Sequence, residues 1–131
     1  MKPALQELPH LENWRWLSHQ IRCAMAPDEP RLIEHYLAEG RYLARCTATP
    51  AWNIAQTSLR LMLDTATDTQ LPWHWRCLCL DQAWRPLRDL RNAAHTAEQR
   101  VTWQAYAAQL ARSELLPSTP LYDLPQGYSD E

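Results

Sequence analysis

Leu71-Pro72-Trp73-His74-Trp75-Arg76-Cys77-Leu78-Cys79-Leu80 is the densest apolar run of the chain, and its reading decides the fold. It holds two of the seven Trp and two of the four Cys. Drawn on a helical wheel from Pro72, Trp73, Cys77, Cys79, Leu80, Ala83, Trp84, Leu87 and Leu90 fall on one broad side. His74, Asp81, Arg85, Arg88 and Asp89 fall on the other. The phase persists through Pro86, which removes one backbone hydrogen bond and crowds the preceding turn. The pattern therefore predicts either a kinked helix to about Asn92 or two collinear helices, at the centre of a core that the other segments cover.

Upstream of this run the same helical grammar repeats. Leu11, Trp14, Leu17, Ile21 and Met25 lie within one arc and predict a first helix from about Pro9 to about Ala26. Trp16 and Cys23 form a second apolar strip on its opposite side. Pro27-Asp28-Glu29-Pro30 ends that helix and starts the next, Asp28 or Glu29 standing near the N-cap and Pro30 in the first turn. In the second helix Leu32, Ile33, Tyr36, Leu37, Leu43 and Ala44 share a face with Gly40, which either admits a close neighbour or breaks the segment in two. Thr49-Pro50 opens a third helix to about Ala66, with Trp52, Ala55, Leu59, Met62 and Leu63 on one side and Ile54 and Leu61 on the back. A helix apolar on two sides is expected to be sandwiched.

Downstream, Thr96-Ala97-Glu98-Gln99 has the form of a capping box and predicts a last helix to about Leu116. One of its faces is small, with Val101, Ala105, Ala108 and Ala111, whereas Trp103, Tyr106 and Leu110 project from the other. From Pro117 the sequence excludes a regular helix and reads as an extended tail that straps back over the bundle or serves as a linear motif. Gly40-Arg41-Tyr42 resembles a fragment of a tetratricopeptide repeat, but Arg45 stands where a small residue is expected, so no repeat is read.

Composition agrees with this outline. The 131 residues suit one domain with a real core, and 46% of them are apolar. Two Gly against ten Pro, with no Asn-Gly or Asp-Gly turn and no alternating strand, exclude a hairpin protein. Thirteen basic and fifteen acidic side chains leave a net charge of -2, which gives no field for a nucleic-acid binder. The N-terminal residues lack the apolar core of a secretory signal, and no run matches a membrane span. Cys23, Cys46, Cys77 and Cys79 are expected to be reduced thiols of a cytoplasmic protein.

Candidate sites follow from chemistry. His74-x-x-Cys77-x-Cys79 offers zinc-ligand types, yet on a helix Cys77 and Cys79 point about 200° apart, so no metal site is expected. The five His are dispersed, and no nucleophile or phosphate-loop context accompanies them, so catalytic residues and cofactors are read as none. Arg76 falls inside the apolar arc, where a charge is expected to snorkel, lie on a Trp ring, pair with an acid such as Glu34 or Glu39, or enter an anion-binding cleft. Arg85, Arg88 and Arg91, with Trp84 beside them, would serve a DNA-binding helix, although Asp81, Arg85 and Asp89 at i, i+4 spacing also fit a solvated face.

The sequence thus predicts an all-α single domain of about five helices, an irregular bundle or a short stack of antiparallel helix pairs. The helical domain covers residues 1–116 and the Pro-rich tail 117–131. Its surplus apolar surface, Trp16 with Cys23, Ile54 with Leu61, and Trp103 with Tyr106 and Leu110, points to a non-enzymatic cytosolic interaction module such as a dedicated chaperone, adaptor or regulator. The expected partner is another protein or a second copy, a homodimer included, and not a nucleic acid or a membrane. A DNA-binding regulator using Arg85 to Arg91, and a small enzyme or anion binder with a cleft at Arg76, are the alternatives.

Overall fold

The computed structural model describes residues 8–119. Those residues form six helices and no strand: α1 Leu8–Arg22, α2 Arg31–Cys46, α3 Ala51–Ala66, α4 Trp73–Gln82, α5 Trp84–Ala93 and α6 Ala97–Ala111. The protein is an all-α single-domain bundle, and α4 and α5 are the two halves of the helix that Pro86 was expected to interrupt. Ala83, the one residue between them, keeps helical dihedrals, so the break is a bend and not a loop.

The central element is α3, which packs against α1, α2, α4 and α5. The sequence pattern had put the Pro72 segment at the centre. The difference lies in how many sides of each helix are apolar. α3 buries Ile54, Ala55, Leu59, Leu61, Met62, Leu63 and Ala66 around most of its circumference, so its second face, Ile54 with Leu61, is covered by the protein itself. α4 and α5 bury one arc, made by Trp75, Arg76, Cys79, Ala83, Pro86 and Leu90. That arc is turned by about 70° from the one drawn through Trp73 and Trp84, and those two rings are 46% and 52% exposed. The reason is local: Trp75 is the ring with a partner, its indole Nε1 donating to the Ile21 carbonyl at 3.0 Å from full burial.

α1 ends four residues before the position its apolar pattern suggested. Met25 N donates to the Gln20 carbonyl and Ala24 N to that of Ile21, the paired bonds of a Schellman cap, with Ala24 at φ 49 in the left-handed position that usually falls to glycine. α2 runs unbroken through Gly40. A Cβ there would meet Trp14 Nε1 at 3.0 Å and Ile54 Cγ2 at 3.2 Å, so the missing side chain is what lets α1, α2 and α3 close on one another. Beside this point Trp14 stacks on Tyr36 with centroids 5.2 Å apart.

Polar contacts bridge the helices. His10 Nδ1 lies 2.6 Å from Glu39 Oε2 between α1 and α2, and Arg22 donates to Asp68 at 2.8 Å across the C-terminal ends of α1 and α3. Arg85 to Glu34 and Arg41 to Asp89 tie α5 alongside α2. The capping box at Thr96 and Gln99 is fully formed and starts α6, which lies outermost against α5. α6 stops at Ala111, five residues early, and the chain continues without regular structure to Thr119.

Candidate binding cleft and the sealed arginine

At its N-terminal end α3 leaves a space unfilled. Between α2, α3 and α5 lies a cleft of about 260 Å³, with Leu37, Ala44, Ile54, Ala55, Pro86 and Ala93 as its apolar walls. The small residues make the opening: alanine at 44, 55 and 93 removes side-chain volume where three helices meet. Arg41, Arg45, Asp89, Asn92 and His95 complete the lining with polar groups. Arg41 is engaged by Asp89 through two bonds of 3.3 Å, whereas Arg45 is exposed and makes no ion pair among the described residues. The polar lining therefore carries excess positive charge over an apolar interior.

A polar foot lies in the same place. Ser58 lines the cleft and is nearly fully buried. Behind it the Tyr36 phenol is enclosed, and burial pushes its pKa up to about 12, tempered by the nearby Ser58 hydroxyl. That approach falls short of a full hydrogen bond, and the Tyr36 oxygen has no partner of good geometry. The cleft can hold an apolar group of side-chain size and place an anion beside Arg45 and His95. Asp89, His95 and Ser58 all line it, and no hydrogen bond joins any two of them among the described residues.

At the C-terminal end of α3 the arrangement is the opposite. Arg76 is 0% exposed, and it is not paired with Glu34 or Glu39, which are taken by Arg85 and His10. Its Nε donates to the Ala66 carbonyl at 2.8 Å, at the negative end of the α3 dipole. Nη1 donates to the Ser118 hydroxyl at 2.9 Å, and the guanidinium carbon lies 5.3 Å from the Trp73 ring centre. Ser118 in turn donates to the Leu71 carbonyl at 2.6 Å. Nη2 has no hydrogen-bond partner among the described residues. Arg76 is not among the residues that line the α2–α3–α5 cleft. Residues 118–119 thus lie over this corner, while Leu121, Tyr122, Leu124 and Tyr128, on which the strap or linear-motif reading of the tail rests, lie outside the described residues.

The remaining predicted residues are dispersed. Trp16 is 55% exposed on the outer side of α1, with Cys23 exposed two turns on and 3.8 Å from His19 Nδ1. Trp103, Tyr106 and Leu110 are half-buried and turned to the protein's own core, with Trp103 Nε1 donating to the Leu87 carbonyl. The small face of α6 is the outward one, led by exposed Val101. Arg85 is bound to Glu34, Arg88 stacks on Trp84, and Arg91 stacks on Trp103, so each arginine of the candidate DNA helix already has a neighbour. His74 reaches Pro27 and Asp28, Cys77 is half-buried, and burial pushes the Cys79 thiol up to about 12. All four cysteines are free, and no group of three or more His, Cys, Asp or Glu comes together among the described residues.

Sequence reasoning missed the cleft because its signal is an absence of volume at Ala44, Ala55 and Ala93, on three helices whose packing no local pattern gives. In comparison with known proteins, no family model, no curated relative and no solved structure matches this chain. No helix among the described residues is long and apolar enough to cross a membrane.

Proposed function

We propose that the protein is a non-enzymatic helical interaction module that takes a segment of another protein into the α2–α3–α5 cleft, an apolar side chain entering it and an adjacent carboxylate meeting Arg45 and His95. The observation that carries this reading is the cleft itself, an apolar space of about 260 Å³ beneath an arginine without an ion pair among the described residues. Apolar side chains anchor protein contacts when a cavity desolvates them, and charge at the edge sets register and choice of partner. Exposed Trp84, one helix turn before Arg88 on α5, adds an aromatic surface of the kind enriched at interfaces. The engaged arginines of α5 and the enclosed Arg76 lend the DNA-binding and enzymatic alternatives less support.

The test uses two peptide sets, with Leu, Ile, Phe or Trp beside Asp and Glu in one and beside Lys in the other, titrated into the full-length protein by fluorescence anisotropy. The acidic set is expected to bind and the basic set not. Arg45→Glu should weaken binding about tenfold, the equivalent of roughly 1.4 kcal/mol. Ala51→Trp, at the exposed mouth of the cleft, should abolish it. No binding by either set, or binding that neither substitution alters, overturns the proposal.

A further inference from the structure

The foot of the α2–α3–α5 cleft differs in chemistry from its walls. Ser58 lines the cleft and is 3% exposed. A hydroxyl on or beside a helix commonly donates to the carbonyl four residues earlier, as Thr67 does to Leu63 at 2.9 Å and Thr102 to Glu98 at 3.1 Å. The Ser58 hydroxyl makes no such bond to Ile54 among the described residues. Behind it the Tyr36 hydroxyl is fully enclosed and lacks a partner of good geometry. Two buried hydroxyls short of partners therefore meet under an apolar cavity. A group that enters the cleft and bonds to Ser58 removes a desolvation cost that the empty fold carries.

Resting on the cleft as the peptide site proposed above, we infer that the anchoring side chain is a tyrosine, its ring between Leu37, Ile54 and Pro86 and its phenol on the Ser58 hydroxyl. The size fits one side chain, since about 260 Å³ lies below the roughly 300–1,000 Å³ of sites that take whole small molecules. The polarity selects which one. Leu or Phe would close the cleft over Ser58 and leave its hydroxyl without water or partner. Lys would bury its charge among Arg41, Arg45 and His95, which already line the cleft. A Gln or Asn amide has more hydrogen-bonding positions than two hydroxyls can meet, and a Trp indole can only donate. A phenol both donates and accepts, so it meets Ser58 in either direction, and its ring has the apolar body that the walls require. The carboxylate that follows in the peptide stays with Arg45 and His95, outside the foot.

The test compares three acidic peptides, identical but for Tyr, Phe or O-methyltyrosine at the anchor, titrated into the full-length protein by fluorescence anisotropy. The Tyr peptide should bind about tenfold more tightly than the Phe peptide, the equivalent of roughly 1.4 kcal/mol. O-methyltyrosine, which loses the donor, should bind no better than Phe. Ser58→Ala should erase the preference, weakening the Tyr peptide about tenfold and leaving the Phe peptide unchanged. A purely structural Ser58 would instead alter both peptides alike, and an unchanged thermal midpoint confirms that the variant is folded. Equal affinity for Tyr and Phe, as water filling the foot would give, overturns the inference and leaves the cleft a peptide site. So does O-methyltyrosine binding as tightly as Tyr, a preference that survives Ser58→Ala, or a loss shared by both peptides. Binding of none of the three overturns the peptide site and the tyrosine anchor together.

Discussion

The two ends of α3 put arginine to opposite uses. At the C-terminal end Arg76 is fully enclosed, and the Ala66 carbonyl, the Ser118 hydroxyl and the Trp73 ring supply its surroundings. At the N-terminal end Arg45 stands at an open cleft with no ion pair among the described residues. A cation whose neighbours all come from the protein is a fastener, because moving it strands buried polar groups. A cation facing a cavity leaves its charge available to a ligand. Burial of charge therefore locates what holds this fold together, and the unfilled space locates where it can bind.

The same substitution at the two ends breaks the comparison most directly. Arg76→Glu sets a carboxylate against the Ala66 carbonyl in a closed corner and should destabilise by more than about 4 kcal/mol, seen as loss of the cooperative transition in urea followed by circular dichroism. Arg76→Met keeps much of the volume and removes the charge, so it should cost only about 1–2 kcal/mol for the carbonyl and hydroxyl left unpaired. Equal effects from the two variants would mean that the corner is not sealed.

How much of this was legible in the sequence follows from the range of each signal. Pro30, Pro50 and Pro72 mark helix starts locally, and the Thr96-to-Gln99 capping box is wholly local, so the elements could be placed. The phase of α4 could not. Trp73 and Trp75 sit two residues apart, and which one turns inward depends on the Ile21 carbonyl, 54 residues away in sequence. The wheel did locate Arg76 as a charge inside the bundle. It offered acids as partners, yet the partners are a backbone carbonyl and a tail serine, groups present in nearly every sequence that carry no pattern. The turned-in side of α6 and the cleft escaped for the same reason, since both depend on how three or four helices meet.

Each end of α3 also hides a neutral acid, Tyr36 behind the cleft and Cys79 one turn from Arg76, both pushed up to about 12 by burial. In the unfolded chain they ionise nearer their ordinary values of about 10 and about 8.5. Their contribution is complete below those values and is lost as pH rises toward the folded ones. Stability should therefore fall from about pH 9 upward, by a few kcal/mol in all, because a tenfold difference in acidity between the folded and unfolded chain is worth about 1.4 kcal/mol. Urea titrations at pH 8, 9 and 10 measure this, and Tyr36→Phe should flatten the alkaline limb by removing one of the two groups. A limb unchanged in that variant would place the Tyr36 hydroxyl in contact with water.

Gly40→Ala sharpens the comparison from the packing side. Its Cβ would press on Trp14 Nε1 and on Ile54 Cγ2, and Ile54 is a wall of the cleft. Overpacking of this kind costs about 1–3 kcal/mol, partly offset by the roughly 1 kcal/mol of helix propensity that alanine adds. A net loss of up to about 2 kcal/mol with weakened peptide binding is expected, read by thermal melting and anisotropy together. Ser118→Ala should cost about 1 kcal/mol, since it removes the acceptor for Arg76 Nη1 and the bond to Leu71. It should also speed amide exchange at Thr119, whose donation to Thr69 depends on the same strap.

Arg45→Glu should change stability least, within about 0.5 kcal/mol, because an exposed side chain with no ion pair among the described residues takes little from the fold when it is reversed. That small number is the informative one. Set beside Arg76→Glu, it separates the enclosed arginine, which the helical wheel placed inside the apolar arc, from one at the cleft that no sequence pattern singled out. The same variant should weaken acidic peptides about tenfold. Stability kept while binding is lost marks Arg45 as a receptor group, and a thermal midpoint that falls as far as that of Arg76→Glu would make both ends of α3 fasteners and leave the cleft without its anion site.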